Sequence, residues 1–292
     1  MSFVSTKRRT TFDYVNGTLI LIVSSLCLIP FLYIISVSLT DIDVYVPFTF
    51  QLFPKKLSLD AYKYILGTST FIDALKSTTL VTVVGTVIAL MVTYPAAYAL
   101  TKRRMPLYKL FSGIVVFTLV FSAGIIPTFT VVRNLGLINK YWALILPIAT
   151  DAWSLIVVKS FMDSLPSELE DSAKIDGCTD LGVFFRIIIP LSMASIAAFT
   201  LFFAVARWNI YFDALLYIND NSKRTLQVLV KSMVIDNNSQ SAGSATGWGD
   251  AQMPSEVVRS ATVMVAVLPI LVVYPFLQKY FVKGVMLGSV KG

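Results

Sequence analysis

"ELEDSAKIDGCTDLGVFFRIIIP", residues 168–190, places five carboxylates, Glu168, Glu170, Asp171, Asp176 and Asp180, between two segments apolar enough to lie in a lipid bilayer. Pro166 marks a turn just before it, and Ser167 followed by Glu170 fits a capping box. Glu168 and Glu170 also favour the positive end of a helix dipole, so a helix is expected to start here. Leu169, Ala173 and Asp176, at i, i+4 and i+7, give a narrow small-residue face between charged sides. Gly177 is placed to end the helix in the left-handed conformation. A helix of about nine residues is marginal in water by itself, so it must dock on something. Asp180 is positioned to cap a second short helix, "LGVFFRIII", which runs into Pro190. Taken alone, these features also fit a solvated connector.

The rest of the chain sets the solvent for that stretch. Of 292 residues, 56% are hydrophobic and 14% charged, against about 25% charged in soluble domains. Mean hydropathy is +0.74. Six apolar segments near 17–39, 77–100, 109–132, 141–162, 191–215 and 258–278 each approach the roughly 20 residues that cross a hydrocarbon core. The first follows Lys7, Arg8 and Arg9 but is too long for a signal peptide and reads as a retained span. The expected fold class is therefore all-α: a polytopic membrane helix bundle of six transmembrane helices. The expected division is a tail over 1–16, the first span and outer loop over 17–76, a five-span core over 77–278 with a loop at 163–190, and a tail over 279–292. The dense "KRR" runs at 7–9 and 102–104 put both termini and the acidic loop in the cytoplasm under the positive-inside rule. Pro95, Pro127 and Pro147 are expected to kink or interrupt their spans.

Several function classes are excluded or disfavoured by inventory. The net charge of +7 sits in short loops and tails beside apolar runs, as topology signals do, so nucleic acid is not the expected partner. There are no histidines, and the two cysteines are Cys27, inside an apolar run, and Cys178. No Cys/His metal site, disulfide framework or histidine-based catalytic arrangement follows from that set. No G-x-x-x-x-G-K-[ST] loop is present, so the chain has no nucleotide cradle of that kind. A secondary transporter is the competing polytopic class, but no pair of similar halves is visible and six spans is few for it. An intramembrane enzyme lacks a convincing nucleophile and base.

Asp171, Ser172, Ala173, Gly177, Ile187, Ile189 and Pro190 keep the spacing of a known signature: EAA, three residues, G, nine residues, I, one residue, LP. The chain thereby resembles the inner-membrane permeases of binding-protein-dependent ABC importers. Asp171, Ser172 and Ile189 depart mildly from the signature's Glu, Ala and Leu. The wider "LPSELEDSAKIDG", "ARWNIYFDALLYINDNSKRTLQ" and "YPFLQKYFVKGVMLGSVKG" resemble the carbohydrate branch, and within it permeases for oligosaccharides released from polysaccharides, with a permease for a non-sugar solute such as a peptide, amino acid or phosphate as the alternative within the class. The resemblance implies a type I ABC importer permease fold in a bacterial plasma membrane. It implies that Glu168, Glu170, Asp171, Ser172, Ala173, Asp176, Gly177 and Pro190 form a coupling element seated on a cytoplasmic ATPase. The implied partners are a paralogous second permease, two ATPase subunits that bind ATP and Mg, an extracytoplasmic solute-binding protein, a carbohydrate substrate and membrane lipid. No cofactor and no metal is implied for this chain itself.

Ionisable and aromatic residues within the spans are candidates for the substrate path. Asp151 falls about ten residues into the fourth expected span, near mid-membrane, and Arg207 and Asp213 lie in the outer half of the fifth. Each reads either as a structural ion-pair member, Asp151 with Arg207 for instance, or as a hydrogen-bonding group along a hydrated sugar pathway. Trp153, Trp208, Tyr211 and Phe212 offer faces on which sugar rings stack, or interfacial anchors. The polar outer segment 218–257, with "NNSQSAGSATGWGD", reads as a flexible loop or as a docking surface for a substrate-delivery protein.

Overall fold

The computed structural model describes residues 11–47, 49–235 and 256–288. The N-terminal "KRR" run, the "NNSQSAGSATGWGD" stretch and the last four residues lie outside them. Among the described residues the regular elements are helical, with one isolated bridge pair, Thr40 with Leu57. They fall into two compact units, one within Met1–Thr68 and Gly249–Ala266, the other within Ser69–Trp248 and Val267–Gly292.

In the first unit, α1 (Thr11–Ser38) is an apolar helix carrying Pro30. Its side chains from Phe12 to Leu32 are largely exposed, as suits a helix whose surroundings are acyl chains, which are as apolar as leucine. The loop that follows is held by polar contacts. Lys56 reaches Asp41 at 2.6 Å, Tyr45 donates to Glu256 at 2.6 Å, and Ser38 and Tyr62 share a 2.8 Å hydrogen bond. α2 (Asp60–Gly67) buries Ala61 and Ile65.

The second unit is organised on α3 (Ser69–Thr101), whose 33 residues span about 50 Å at 1.5 Å per residue. It is followed by α4 (Tyr108–Val120), α5 (Ile125–Asn134), α6 (Trp142–Ile145), α7 (Ala152–Asp163), α8 (Ser167–Ile175) and α9 (Asp180–Val183). A π turn (Phe184–Ile188), α10 (Ile189–Leu191), α11 (Met193–Trp208), α12 (Phe212–Tyr217), a 3₁₀ turn (Asn221–Lys223) and α13 (Leu226–Ile235) continue the chain. The last helix, α14, covers Glu256–Gly288. α11 and α7 pack along α3, whose buried face is rich in small side chains: Ser77, Thr78, Gly85, Ala89, Thr93 and Ala97. Small residues let helix backbones approach closely where no hydrophobic drive separates protein from lipid.

Three helices among the described residues are long and apolar enough to cross a membrane: Thr11–Ser38, Ser69–Thr101 and Glu256–Pro275. The other three expected spans are not single helices, and in two of them the break holds a Gly or a Pro. The 109–132 segment stops at Val120 and resumes after Gly124, which takes φ +82°. Pro127 then sits in the first turn of α5, where a missing N–H costs nothing. The 141–162 segment is one turn, α6, and then an irregular stretch containing Pro147 that ends at Asp151. The 191–215 segment breaks after Trp208 and restarts as α12. Pro95 does not break its span, since α3 continues to Thr101. Irregular backbone at such depth needs internal partners. They are present: Arg207 Nη2 donates to the Ile148 carbonyl at 2.6 Å, and the Thr93 and Thr150 hydroxyls meet at 2.8 Å.

Candidate functional site

The acidic element forms where the sequence places it, as α8 of nine residues beginning at Ser167. Its C-terminus is a Schellman motif. The Gly177 N–H donates to the Lys174 carbonyl at 3.1 Å and the Cys178 N–H to the Ala173 carbonyl at 2.9 Å. Gly177 sits at φ +83°, the left-handed region that such a cap requires. Ala173 is buried and packs with Tyr98 and Phe184. Leu169, one turn before Ala173, is 42% exposed, and Ile175, on the opposite side of the helix, is 87% exposed. Glu168, Asp171, Ser172 and Asp176 are also exposed.

Two capping expectations are corrected. Pro166 occupies the N-cap position without a side-chain hydrogen bond, so the Ser167–Glu170 box does not form. Glu170 is instead ion-paired with Lys102, just past the end of α3. A charge-assisted bond to an ammonium is stronger than one to a neutral backbone N–H. Lys102 also lies 4.3 Å from the centre of the Tyr98 ring. For the second helix the cap is Thr179, whose Oγ1 accepts from Gly182 N at 3.3 Å. Asp180 is the first helical residue, where its charge suits the helix dipole, and it pairs with Lys174 at 3.0 Å. That partner raises the Lys174 pKa.

Behind α9 the chain enters the π turn and Pro190. A proline in this position offers no N–H to the preceding turn and its ring crowds the carbonyl four residues back. The wider π turn absorbs that conflict. The Asp180–Leu191 segment then meets Met193–Trp208 at a bend of 78°. α8 is thus joined to α3 through Lys102 and to α11 through a bent but continuously hydrogen-bonded connection, Ser192 N donating to Ile188 O at 2.9 Å.

The residues expected along a substrate path separate into three places. Asp151 is not in the middle of a helix: it is the N-cap of α7 and exposed, with Oδ1 accepting from Ser154 N at 2.8 Å and Oδ2 from Ser154 Oγ at 2.6 Å. No direct Asp151–Arg207 ion pair forms among the described residues; both Asp151 oxygens are engaged by Ser154. Arg207 is 2% exposed and spends its guanidinium on the Phe203 and Ile148 carbonyls, at 3.2 and 2.6 Å. Trp208 is buried beside it in sequence. Trp153 is 53% exposed and meets Phe199 and Phe202 of α11 at 6.2 Å each. Tyr211 lies under Lys231, at 4.0 Å, and Asp213 opens α12 half-buried with Phe212 exposed.

Sequence reading missed Gly85. A Cβ there would stand 2.6 Å from both Cδ and Nε of Arg207, so the buried arginine crosses α3 at the one place without a side chain. A glycine inside an apolar helix was the available signal. The N-cap role of Asp151 makes its own prediction. Asp151→Ala lowers the thermal stability of the purified protein by about 1 kcal/mol, whereas Asp151→Asn, an equally good cap, stays close to wild type. Equal destabilisation by both would show that the charge near Arg207, not the cap, is what matters.

The profile of the binding-protein-dependent transport system inner membrane component matches residues 3–287. The polygalacturonan/rhamnogalacturonan transport system permease protein YtcP of Bacillus subtilis (strain 168) is 44% identical over 285 residues, 96% of this chain and 98% of that protein. Protein LplC of the same organism is 45% identical over 288 residues, 99% of this chain and 97% of that one. Among solved structures, a chain of a bacterial ABC transporter involved in the import of the acidic polysaccharide alginate superposes with a TM-score of 0.84 at 31% identity, covering 94% of this chain and all of that one. With its helical, span-rich fold and intact acidic loop, the chain belongs to the family of inner membrane components of binding-protein-dependent transport systems.

Proposed function

We propose that this chain is the permease subunit of an ATP-driven importer for oligosaccharides, with fragments of acidic polysaccharides as the substrate class. The observation that carries the reading is α8. It is a short acidic helix locked at its end by Gly177, clamped to a membrane span by Lys102 and Glu170, and presenting Leu169 and Ile175 outward. A rigidly mounted helix with an exposed apolar side chain near each end is suited to receive a push from a partner and pass it to α3 and α11. The substrate class is supported by the relatives, two of which are described by polygalacturonan, rhamnogalacturonan and alginate. The energy comes from two ATPase subunits, which bind ATP and Mg, since this chain carries no phosphate loop. A second permease completes the path and an extracytoplasmic binding protein delivers the substrate. Asp151, Trp153, Tyr211 and Asp213 are the side chains proposed to face that path. Arg207 and Trp208 act from within the fold.

Sidedness is part of the proposal: both termini and α8 in the cytoplasm of a bacterial cell. With Cys27 and Cys178 replaced, single cysteines introduced at Arg103 and Val290, or Cys178 restored, react only with reagent on the cytoplasmic side, and one at Gln240 only from outside. External labelling of Cys178 would overturn the coupling role. The function is tested by uptake of oligogalacturonate or alginate oligomers into vesicles. Uptake requires the ATPase subunits, internal ATP and the binding protein together, and uptake driven by an ion gradient without ATP would place the chain in the secondary-transporter class.

A further inference from the structure

Between the end of α3, the 102–106 turn and the α8–α9 elements lies a cavity of about 1000 Å³. Its walls are of two kinds. Pro95, Ala99, Leu181, Phe184 and Phe185 are apolar, while Lys102, Arg103, Arg104 and Lys174 bring four cations against Glu170 and Asp180. The pairing leaves a remainder. Lys102 is taken by Glu170 and Lys174 by Asp180, whereas Arg103 and Arg104 are exposed and make no ion pair among the described residues. The cavity therefore offers an uncompensated double positive charge above apolar walls. It lies where a membrane-crossing helix ends, flanked by Leu181 and Phe185, which are 71% and 65% exposed.

We infer that this cavity binds the headgroup and upper acyl region of an anionic phospholipid, with Arg103 and Arg104 on the phosphate. Planar guanidinium forks match phosphate oxygens in pairs, and the anionic inner leaflet attracts basic residues just beyond a span. An amphiphile satisfies both kinds of wall at once, which a free phosphate does not. Because α8 and α9 form one side of the cavity, the bound lipid braces the acidic helix against α3 and makes coupling sensitive to membrane composition. The inference rests on the cytoplasmic placement of α8 in the proposed function.

The assembled importer is purified, exchanged into nanodiscs of phosphatidylcholine with or without phosphatidylglycerol, and its tightly held lipid measured by native mass spectrometry beside its ATPase rate. The wild-type complex retains phosphatidylglycerol and hydrolyses ATP faster when it is present. R103Q/R104Q weakens retention roughly tenfold or more and removes the lipid dependence, and R103K/R104K, which keeps the charge but not the fork, restores only part of the retention. Inorganic phosphate does not compete. Equal retention by wild type and R103Q/R104Q overturns the inference, as does displacement by inorganic phosphate. Loss of the ATPase subunit from R103Q/R104Q with lipid still bound also overturns it, because the two arginines would then belong to a protein interface. Failure of the sidedness itself reads out separately, as external labelling of a cysteine at position 103.

Discussion

Gly177→Val abolishes ATP-driven uptake while the protein still inserts and accumulates. Valine is β-branched, and at φ +83° its Cβ crowds the backbone, a cost of about 1–3 kcal/mol. Beyond its own chain neighbours, a Cβ on Gly177 meets no atom within 4 Å. The strain is thus purely local, and the chain relieves it by undoing the cap rather than by unpacking the spans. The two bonds from Gly177 N and Cys178 N to Lys174 and Ala173 are then lost, and with them the fixed angle between α8 and α9. A graded series checks the cause: Gly177→Asn is mildest, because asparagine tolerates the left-handed region, Gly177→Ala is intermediate, and Gly177→Val is most severe. Measured uptake and retention of the ATPase subunit should follow that order at constant expression. Normal uptake by Gly177→Val would remove α8 from coupling.

Gly85→Ala lowers the thermal stability of the purified protein by about 1–3 kcal/mol, an unusual loss for a single added methyl group. The new Cβ would stand 2.6 Å from Arg207 Cδ and Nε. The arginine cannot swing aside. It is 2% exposed and held by the Phe203 and Ile148 carbonyls. Arg207→Met by itself leaves the Ile148 carbonyl unpaired in an apolar interior, again about 1–3 kcal/mol. The double variant Gly85→Ala/Arg207→Met has no clash left to add, so its loss falls short of the sum by on the order of 1 kcal/mol. Strict additivity in denaturation midpoints would show that Gly85 and Arg207 act independently and that the crossing is not what holds the fourth segment's break in place.

Much of the acidic loop was legible because its signals are local. The start at Ser167, the length of α8 and the left-handed Gly177 follow from turn and cap chemistry within a dozen residues, and the membrane setting follows from apolar length. The two capping errors have different causes. Glu170 is drawn off by Lys102, which is distant in sequence, whereas at the second helix Thr179, one residue before Asp180, takes the cap. Asp151 misled for another reason. Counting along an apolar run puts it deep in a span, yet the run is broken before it, and it serves as a cap on the helix that restarts.

The sequence by itself determined that this is a multi-span helical membrane protein of the permease family with a nine-residue acidic helix between two spans. Those features depend on composition, on apolar length and on residues close in the chain. Only the tertiary structure decided which helices run unbroken, that Arg207 threads over Gly85 to satisfy an irregular segment, and that Lys102 clamps the acidic helix to α3. Each of these joins groups from different helices inside a low-dielectric interior, where a freed carbonyl or a charge must find whatever partner the packing brings near, and no spacing along one helix specifies which partner that is.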